Sequence, residues 1–577
     1  MAVNLYEQHR PREATVTVSQ GDPTQNQDYS GDFICDGTND DVEILAALAY
    51  VGTFGGGEVF LKEGTYAVDG LVYPLPIFSV TVDNLLLRGA GWNTIIRLND
   101  NSTAVNEGAV IFSINADNVT IANLQIDGNW HNNAPIDPAT DGANITVVST
   151  SENFVLYNVL SIMATGDGVE TGGERSIIIE NHFIDSWEHG IHFNRAKDSI
   201  AVGNIVREET NDALISVWCA EGEITKGIII ADNRLYDGHT NGISLVVEGT
   251  ARDIIVANNI IDNCTGNGIY VRSERTRILG NIVRDCDSGL FMDGGSRVTI
   301  SDNEFSHNQL QGIRVTAASN IDNLKIHSND IYENSQDTIS TYPGIKIDLA
   351  SNDITNIWID WNNIISITAD QHRYGIQITD SVGGGSLTRC YVRHNHIEDT
   401  LWQGINDELG ATIIRKNRLI GTTGVIIQTD TIVEELPVYI IDPDTNLGTH
   451  PAVNLPDEAD TTIRFQIQIP LEFQMLVTAQ IIVAQTVTVA SPDMQWSTVT
   501  NFGKLCADQA YNVRSDAETD QVTAITQNDL ECIDVSASLD GILAGDLVGF
   551  EFVRRATQAG DEIDGAAYFL GFRLRYV

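Results

Sequence analysis

Between residues 270 and 348 the chain spaces out seven side chains that could act on one ligand: Tyr270, Arg272, Phe291, Asp293, Arg314, Lys346 and Asp348. Aromatic rings suit the C–H faces of sugars, and carboxylates accept pairs of hydroxyl hydrogen bonds. Arg and Lys suit an acidic sugar or a developing oxyanion. Two carboxylates flanking a scissile bond can also work as an acid–base pair, with about 6.5–9.5 Å between them in an inverting glycosidase. Asp293 and Asp348 are therefore the candidate catalytic pair. Tyr270, Arg272, Phe291, Arg314 and Lys346 are the candidate substrate-binding set. A second cluster lies earlier in "GDGVETGG" and "WEHGIHFN": Asp167, Glu170, Glu188, His189, His192 and Asn194. A histidine among carboxylates is a candidate general base or metal ligand. The spacing of "HGIH" fits no recognised metal motif on a strand, so no metal site is predicted.

These residues share one site only if something brings them together. The chain repeats: Asn259, Asn281 and Asn303 each precede two apolar residues at intervals of 22. The same marker recurs at Asn123, Asn158, Asn181, Asn204, Asn233, Asn329, Asn363, Asn395 and Asn417, with longer intervals where loops are inserted. Between markers, runs such as "SIIIENHFI" and "DIIVANNII" alternate in β-branched residues, which predicts short strands. There is no room for crossover helices, so the strands must stack as parallel coils about 4.8 Å apart around a continuous apolar core. About twelve coils are predicted.

Stacking sets the phase of the site. After each Gly-Ile opening the next residue points outward, and so does the one two further on. The first outward column reads Glu170, His192, Ser244, Tyr270, Phe291, Arg314, Lys346, Gln377 and Asn406. The second reads Asn194, Val246, Arg272, Asp293, Thr316, Asp348, Thr379 and Glu408. The phase of the "DALISVW" coil is open. Asp293 and Asp348 fall two coils apart, about 10 Å by backbone, and side-chain lean could close that toward the catalytic range. Charges alternating on adjacent coils can equally pair with one another and keep a sheet soluble.

The repeats, together with the opening "DGTNDDVEILAALAYVGTFGGGEVFLKEGTYAV" over residues 36–68, resemble right-handed parallel β-helix proteins of the pectate-lyase-like superfamily and phage tailspikes. In that resemblance "DDVEILAALAYV" is an amphipathic helix sealing the open end of the core, with Asn39 or Asp40 as its N-cap. The resemblance covers about residues 30–430. It implies an all-β fold and a polysaccharide-directed role, shared among lyases, hydrolases, epimerases and inert binders. The Gly-His-Gly and Arg-x-Lys of polygalacturonase-like enzymes are absent, as is the Asp-rich calcium site of pectate lyases.

The expected domains are an N-terminal arm over 1–30 that could serve for attachment, a parallel β-helix over 31–430, a proline-rich linker over 431–463, and an antiparallel β-sandwich over 464–577. The sandwich resembles C-terminal modules that trimerise phage spikes; a carbohydrate-binding role is the alternative. The implied protein is a homotrimeric virion spike, on a phage tail or capsid surface and extracellular when it acts, whose partners are a host-surface polysaccharide and other virion proteins. The alternatives are a free polysaccharide lyase, hydrolase or epimerase, and an inert capsid or tail decoration.

Charge narrows the partners. With 79 acidic and 33 basic residues the chain carries a net −46, which repels nucleic acid and anionic membranes. An acidic polysaccharide would be repelled too, unless cations or a local basic patch intervene. No cofactor is expected to be required, and structural Ca²⁺ is compatible with the acidic excess. The first twenty residues lack the apolar core of a signal peptide, and no apolar run is long enough to cross a membrane. Seven cysteines without a CxxC suggest neither a disulfide framework nor a zinc site. Cys264 and Cys286 fall at one phase of successive repeats and are expected to stack as small buried side chains.

Overall fold

A computed structural model describes residues 14–21, 28–69, 75–103, 108–133, 142–246, 249–338, 341–366, 371–420, 434–438, 445–447, 450–470, 473, 476–486, 492–504 and 512–576. The chain divides into two compact units, Met1–Asp430 and Thr431–Val577.

The first unit is a parallel β-helix. Its short strands fall into three long parallel sheets of 16, 14 and 13 strands, here A, B and C, visited in turn by each coil. One coil runs Ile255–Ala257 in sheet A, Ile260–Asp262 in B and Ile269–Val271 in C. The β-branched alternation produces this directly, because inward positions must be apolar. On sheet C the inward column Ile191, Ile215, Ile243, Ile269, Leu290, Ile313, Ile345, Ile376 and Ile405 stacks residue on residue. Every member is fully buried, at about 1.5–3 kcal/mol per side chain removed from water.

The asparagine repeat has a physical reason at the A–B corner. Asn259 Nδ2 donates to Ile230 O of the preceding coil and to Asn281 Oδ1 of the next, each at 2.9 Å. Asn281 Oδ1 also accepts the Asn259 backbone N–H. The pattern runs unbroken through Asn181, Asn204, Asn233, Asn259, Asn281, Asn303, Asn329, Asn362, Asn395 and Asn417. Three expected markers are displaced by one residue. Asn363 yields its place to Asn362, whereas Asn123 and Asn158 occupy the preceding corner position, with φ of 53° and 49°. That position, not the ladder itself, is left-handed, and it accepts Asn258, Asp232 or Gly280 alike.

Two domain limits move. Thr15–Gln20, within the expected N-terminal arm, is a strand of sheet A paired with Gly57–Leu61, so the helix begins before residue 31. Residues 1–13 and 22–27 of that arm lie outside the described residues. The helix at Asp41–Gly52 buries Ile44, Ala47, Leu48 and Val51. Asp40 is its N-cap by position, but its carboxylate accepts from Gly37 N, Ala67 N and Gln20 Nε2 instead of from the helix.

The second unit contains two antiparallel sheets with their own core. The expected linker is partly structural: Glu434–Val438 and His450–Leu455 both pair with Ala567–Tyr576. Pro437 and Pro451 fall on these two strands, which flank the C-terminal strand, a place where a missing N–H is tolerated. Arg554 is fully buried, paired with Asp561 and donating to the carbonyls of Leu455, Ile563 and Gly565.

Candidate functional site

The outward face of sheet C carries the predicted column. Glu170, His192, Ser216, Ser244, Tyr270, Phe291, Arg314, Lys346, Gln377 and Asn406 are each other's neighbours in register. Ser216 fills the coil whose phase the sequence left open. From His192 to Lys346 the column climbs six rungs, about 29 Å at the strand spacing.

Its upper part satisfies itself. Tyr270 and Phe291 stack on each other at 5.4 Å and 24°, and the Arg314 guanidinium covers Phe291 at 4.7 Å. The rings thus face along the rod and turn their edges outward. Asp293 accepts from Tyr270 Oη at 2.6 Å and, through both oxygens, from the Arg272 fork at 3.0 and 2.7 Å. Burial, helped by that bond, pushes the Tyr270 hydroxyl up to about 12. Asp348 pairs with Lys346 at 3.1 Å and accepts the Ser381 and Ala350 backbone N–H groups. Burial would raise its carboxyl, but the Ser381 N–H and Lys346 outweigh it and hold it below the usual range. An acid meant to donate a proton needs the opposite shift.

The lower part is built differently. Asp167 begins the strand Asp167–Thr171, and the 22-residue coil sets it against the corner before Gly190. Its two oxygens go to two different rings: Oδ1 accepts from His189 Nδ1 at 2.8 Å and Oδ2 from His192 Nδ1 at 2.9 Å. The rings lie 4.6 Å apart. His189 Nε2 reaches Asp212 Oδ2 at 3.4 Å. The side chains of Asp167, His189 and His192 are only 3, 10 and 13% exposed. His192 Nε2 and Asn194 Oδ1 are buried and have no hydrogen-bond partner among the described residues, although Asn194 Nδ2 donates to Glu170 at 2.8 Å. Glu188 stands at the same corner, one residue before His189.

Electrostatics follow from this packing. Burial would raise the Asp167 carboxyl, but the charges of His192 and His189 prevail and hold it well below the ordinary range. Burial would lower His189, but Asp167 outweighs it, with help from Asp212, and the imidazolium is favoured well above its ordinary value. Both of its nitrogens face carboxylates, which only accept, so both carry protons. His192 likewise turns its Nδ1 to Asp167, so Nε2 is the ring nitrogen left to face a ligand, and it is the atom that carries the lone pair whenever this tautomer is neutral. Beneath the corner, Glu209 accepts the Ser186 N–H, and burial pushes its carboxyl well up.

Sequence reasoning placed Asp167, His189 and His192 in one cluster but did not pair the two rings on the one carboxylate. It did not see Asp212 or Glu209. The available signal was the 22-residue interval from Asp167 to His189. Asp167, His189 and His192 also form a two-nitrogen, one-oxygen set within 4.8 Å that could close on a divalent ion. Hydrogen bonds alone account for the distances seen. A second such group, Cys35, Asp40 and Glu43, sits at the capping helix, where the Asp40 carboxylate already serves three donors.

The chain belongs to the family described as right handed beta helix region, whose model matches residues 109–276, 213–383 and 267–435, together more than half its length. The hand of the coil and the resemblance to pectate-lyase-like proteins agree with that membership. Among solved structures, the A-module of mannuronan C-5 epimerase AlgE6 from Azotobacter vinelandii is similar at 19% identity over 69% of this chain and 98% of that one, with a TM-score of 0.46. The tailspike of E. coli bacteriophage HK620, solved with a pentasaccharide, is 13% identical over 96% of this chain and 92% of that one, with a TM-score of 0.46. Tailspike gp49 of Acinetobacter baumannii bacteriophage Fri1, a capsular polysaccharide depolymerase, is 10% identical over 92% and 84%, with a TM-score of 0.33. None of these likenesses assigns a residue or an activity here. No curated protein sequence matches.

Proposed function

We propose that the β-helix unit seats an extended polysaccharide along the outward face of sheet C and carries out proton transfer on it at His192. The observation that carries this reading is the His192 Nε2 atom. It is a buried polar atom with no partner, on the outward column, while the other ring nitrogen is tied to Asp167. Such an atom costs free energy unless it is used. His192 is the base. Asp167 is a positioning residue that fixes its ring and tautomer, and His189 with Asp212 holds Asp167 ionised in its buried place. A base of this kind serves elimination, epimerisation or activation of a hydrolytic water. Tyr270, Arg272, Phe291, Arg314 and Lys346 line the far end of the same face, where ring edges and cations would hold further sugar residues. Asp293 and Asp348, committed to Arg272 and Lys346, belong in this reading to binding.

The setting proposed is that of a virion spike, extracellular when it acts, binding a host-surface polysaccharide as a homotrimer. A separate antiparallel unit with its own core supports that setting, as does a net charge of −46 that disfavours nucleic acid. Among the described residues no helix is long and apolar enough to cross a membrane. Light scattering checks the trimer against the 63.0 kDa chain mass. For the chemistry, a panel of bacterial surface glycans is assayed for new reducing ends, unsaturated products and epimerised sugars. Asp167→Asn should lower kcat by about 10²-fold or more, while Asp293→Asn and Asp348→Asn raise KM and keep kcat. Undiminished turnover in Asp167→Asn would remove His192 from the mechanism.

A further inference from the structure

A second surface, on sheet A, has a composition at odds with the rest of the chain. A groove of about 430 Å³ is lined by Arg275, Arg277, Arg297 and Lys325, with Asp253 and Asn323 at its edge. The four cations occupy three successive rungs in two adjacent columns. Arg277, Thr299 and Lys325 stack in register along the strands, and Arg275 and Arg297 stand two residues earlier at the corner. This happens in a chain where acidic residues outnumber basic ones 79 to 33.

Local pairing accounts for one of the four. Arg275 forms a two-pronged pair with Asp253 at 2.6 and 2.7 Å. Arg277, Arg297 and Lys325 have no ion pair among the described residues and are exposed. Arg275 and Arg297 have φ of 49° and 58°, at a corner that other rungs fill with Gly227, Asp253, Asn323 and Asn356 and also with Arg175 and Arg389. Beyond Lys325 the column continues into Trp358 and Tyr391, stacked at 6.1 Å and 12°, with the Lys325 ammonium 5.6 Å from the Trp358 ring.

We infer that this groove is a second binding site, for an anionic polysaccharide bearing carboxylate or sulfate groups, separate from the Asp167 site on sheet C. Guanidinium forks match such groups with two parallel hydrogen bonds. Cations two rungs apart, about 10 Å, engage successive anionic units of a polymer rather than one small ion. A strongly acidic protein repels a polyanion at long range, and this patch supplies the local attraction that the net charge denies. The inference is independent of the sheet C reading, and a site of this kind would hold a polymer across the rod from the reacting centre.

The test is binding of the intact chain to immobilised alginate and to dextran sulfate, with neutral dextran as control. Wild type should bind at least one of the polyanions and not dextran, more weakly as salt is raised. The double variant Arg277→Gln/Lys325→Gln should lose roughly ten-fold in affinity, with an unchanged circular dichroism spectrum because both side chains are exposed. Binding to neither polyanion, or equal binding by the double variant, overturns the inference. A change of oligomeric state in the double variant would make the groove a contact between copies, and overturns it too.

Discussion

Replacing Asp167 by Asn removes the one carboxylate that both imidazoles share. An amide offers a single acceptor oxygen, and its NH₂ meets rings whose Nδ1 atoms already carry protons. At least one of the two hydrogen bonds, at 2.8 and 2.9 Å, is therefore lost. The His189 imidazolium keeps only Asp212, at 3.4 Å. Breaking a buried pair from one side costs about 3–5 kcal/mol. The pH dependence has a definite sign. Asp167 is held below its ordinary value, so its stabilisation is present above about pH 4 and is lost as pH falls through the depressed folded value. His189 is held above its ordinary value, so its stabilisation is complete below about pH 6.5 and is lost as pH rises through the raised folded value. The stability gap between wild type and variant should thus be widest from about pH 4 to 6.5 and narrow on both sides. Denaturant unfolding of the intact chain, followed by tryptophan fluorescence at a series of pH values, measures it. A gap under about 1 kcal/mol near pH 5, or one that widens toward alkaline pH, would refute the linkage argued here.

Two further outcomes follow from the corners of the coil. Asn259→Ala deletes four side-chain hydrogen bonds, two donated by Nδ2 and two accepted by Oδ1, and should cost about 2–6 kcal/mol, read as a lower denaturant midpoint with native-like secondary structure. Glu209, whose carboxyl burial holds well up, must stay protonated in the fold while the unfolded chain ionises. Glu209→Gln should therefore stabilise the protein increasingly as pH rises above about 4.3, and a melting series across pH would show a constant difference if that burial argument were wrong.

Much of the fold was legible because one coil cannot bury its own apolar face. A 22-residue interval with β-branched alternation leaves little but stacked parallel strands, and the outward column from Glu170 to Asn406 could be written down rung by rung. The marker slipped at Asn123 and Asn158 because Asn is favoured at two adjacent corner positions for different reasons: one is left-handed, the other needs an amide to bridge coils. At Asn363 it slipped the other way, onto the first residue of a strand beside the true ladder residue Asn362. His189 was undervalued because strand phase says nothing of a corner residue whose ring turns back onto the coil beneath. The charged pairs Arg272–Asp293 and Lys346–Asp348 were visible as a cluster, but only coordinates reveal that they are spent on each other. His450–Leu455 was read as linker because its proline count hides a strand that covers a sheet edge. The sheet A groove escaped notice because its cations lie on a face where no acid–base pair drew attention.

The central claim is that a glycan lies along sheet C with a reacting group at His192. A crystal structure of the intact chain with an oligosaccharide drawn from a glycan that it binds tests this most directly. The account predicts sugar rings on the outward face between Glu170 and Lys346, with a sugar atom or an ordered water within hydrogen-bond reach of His192 Nε2. Saccharide bound only on sheet A or on residues 431–577, with His192 Nε2 still unpartnered, would contradict it.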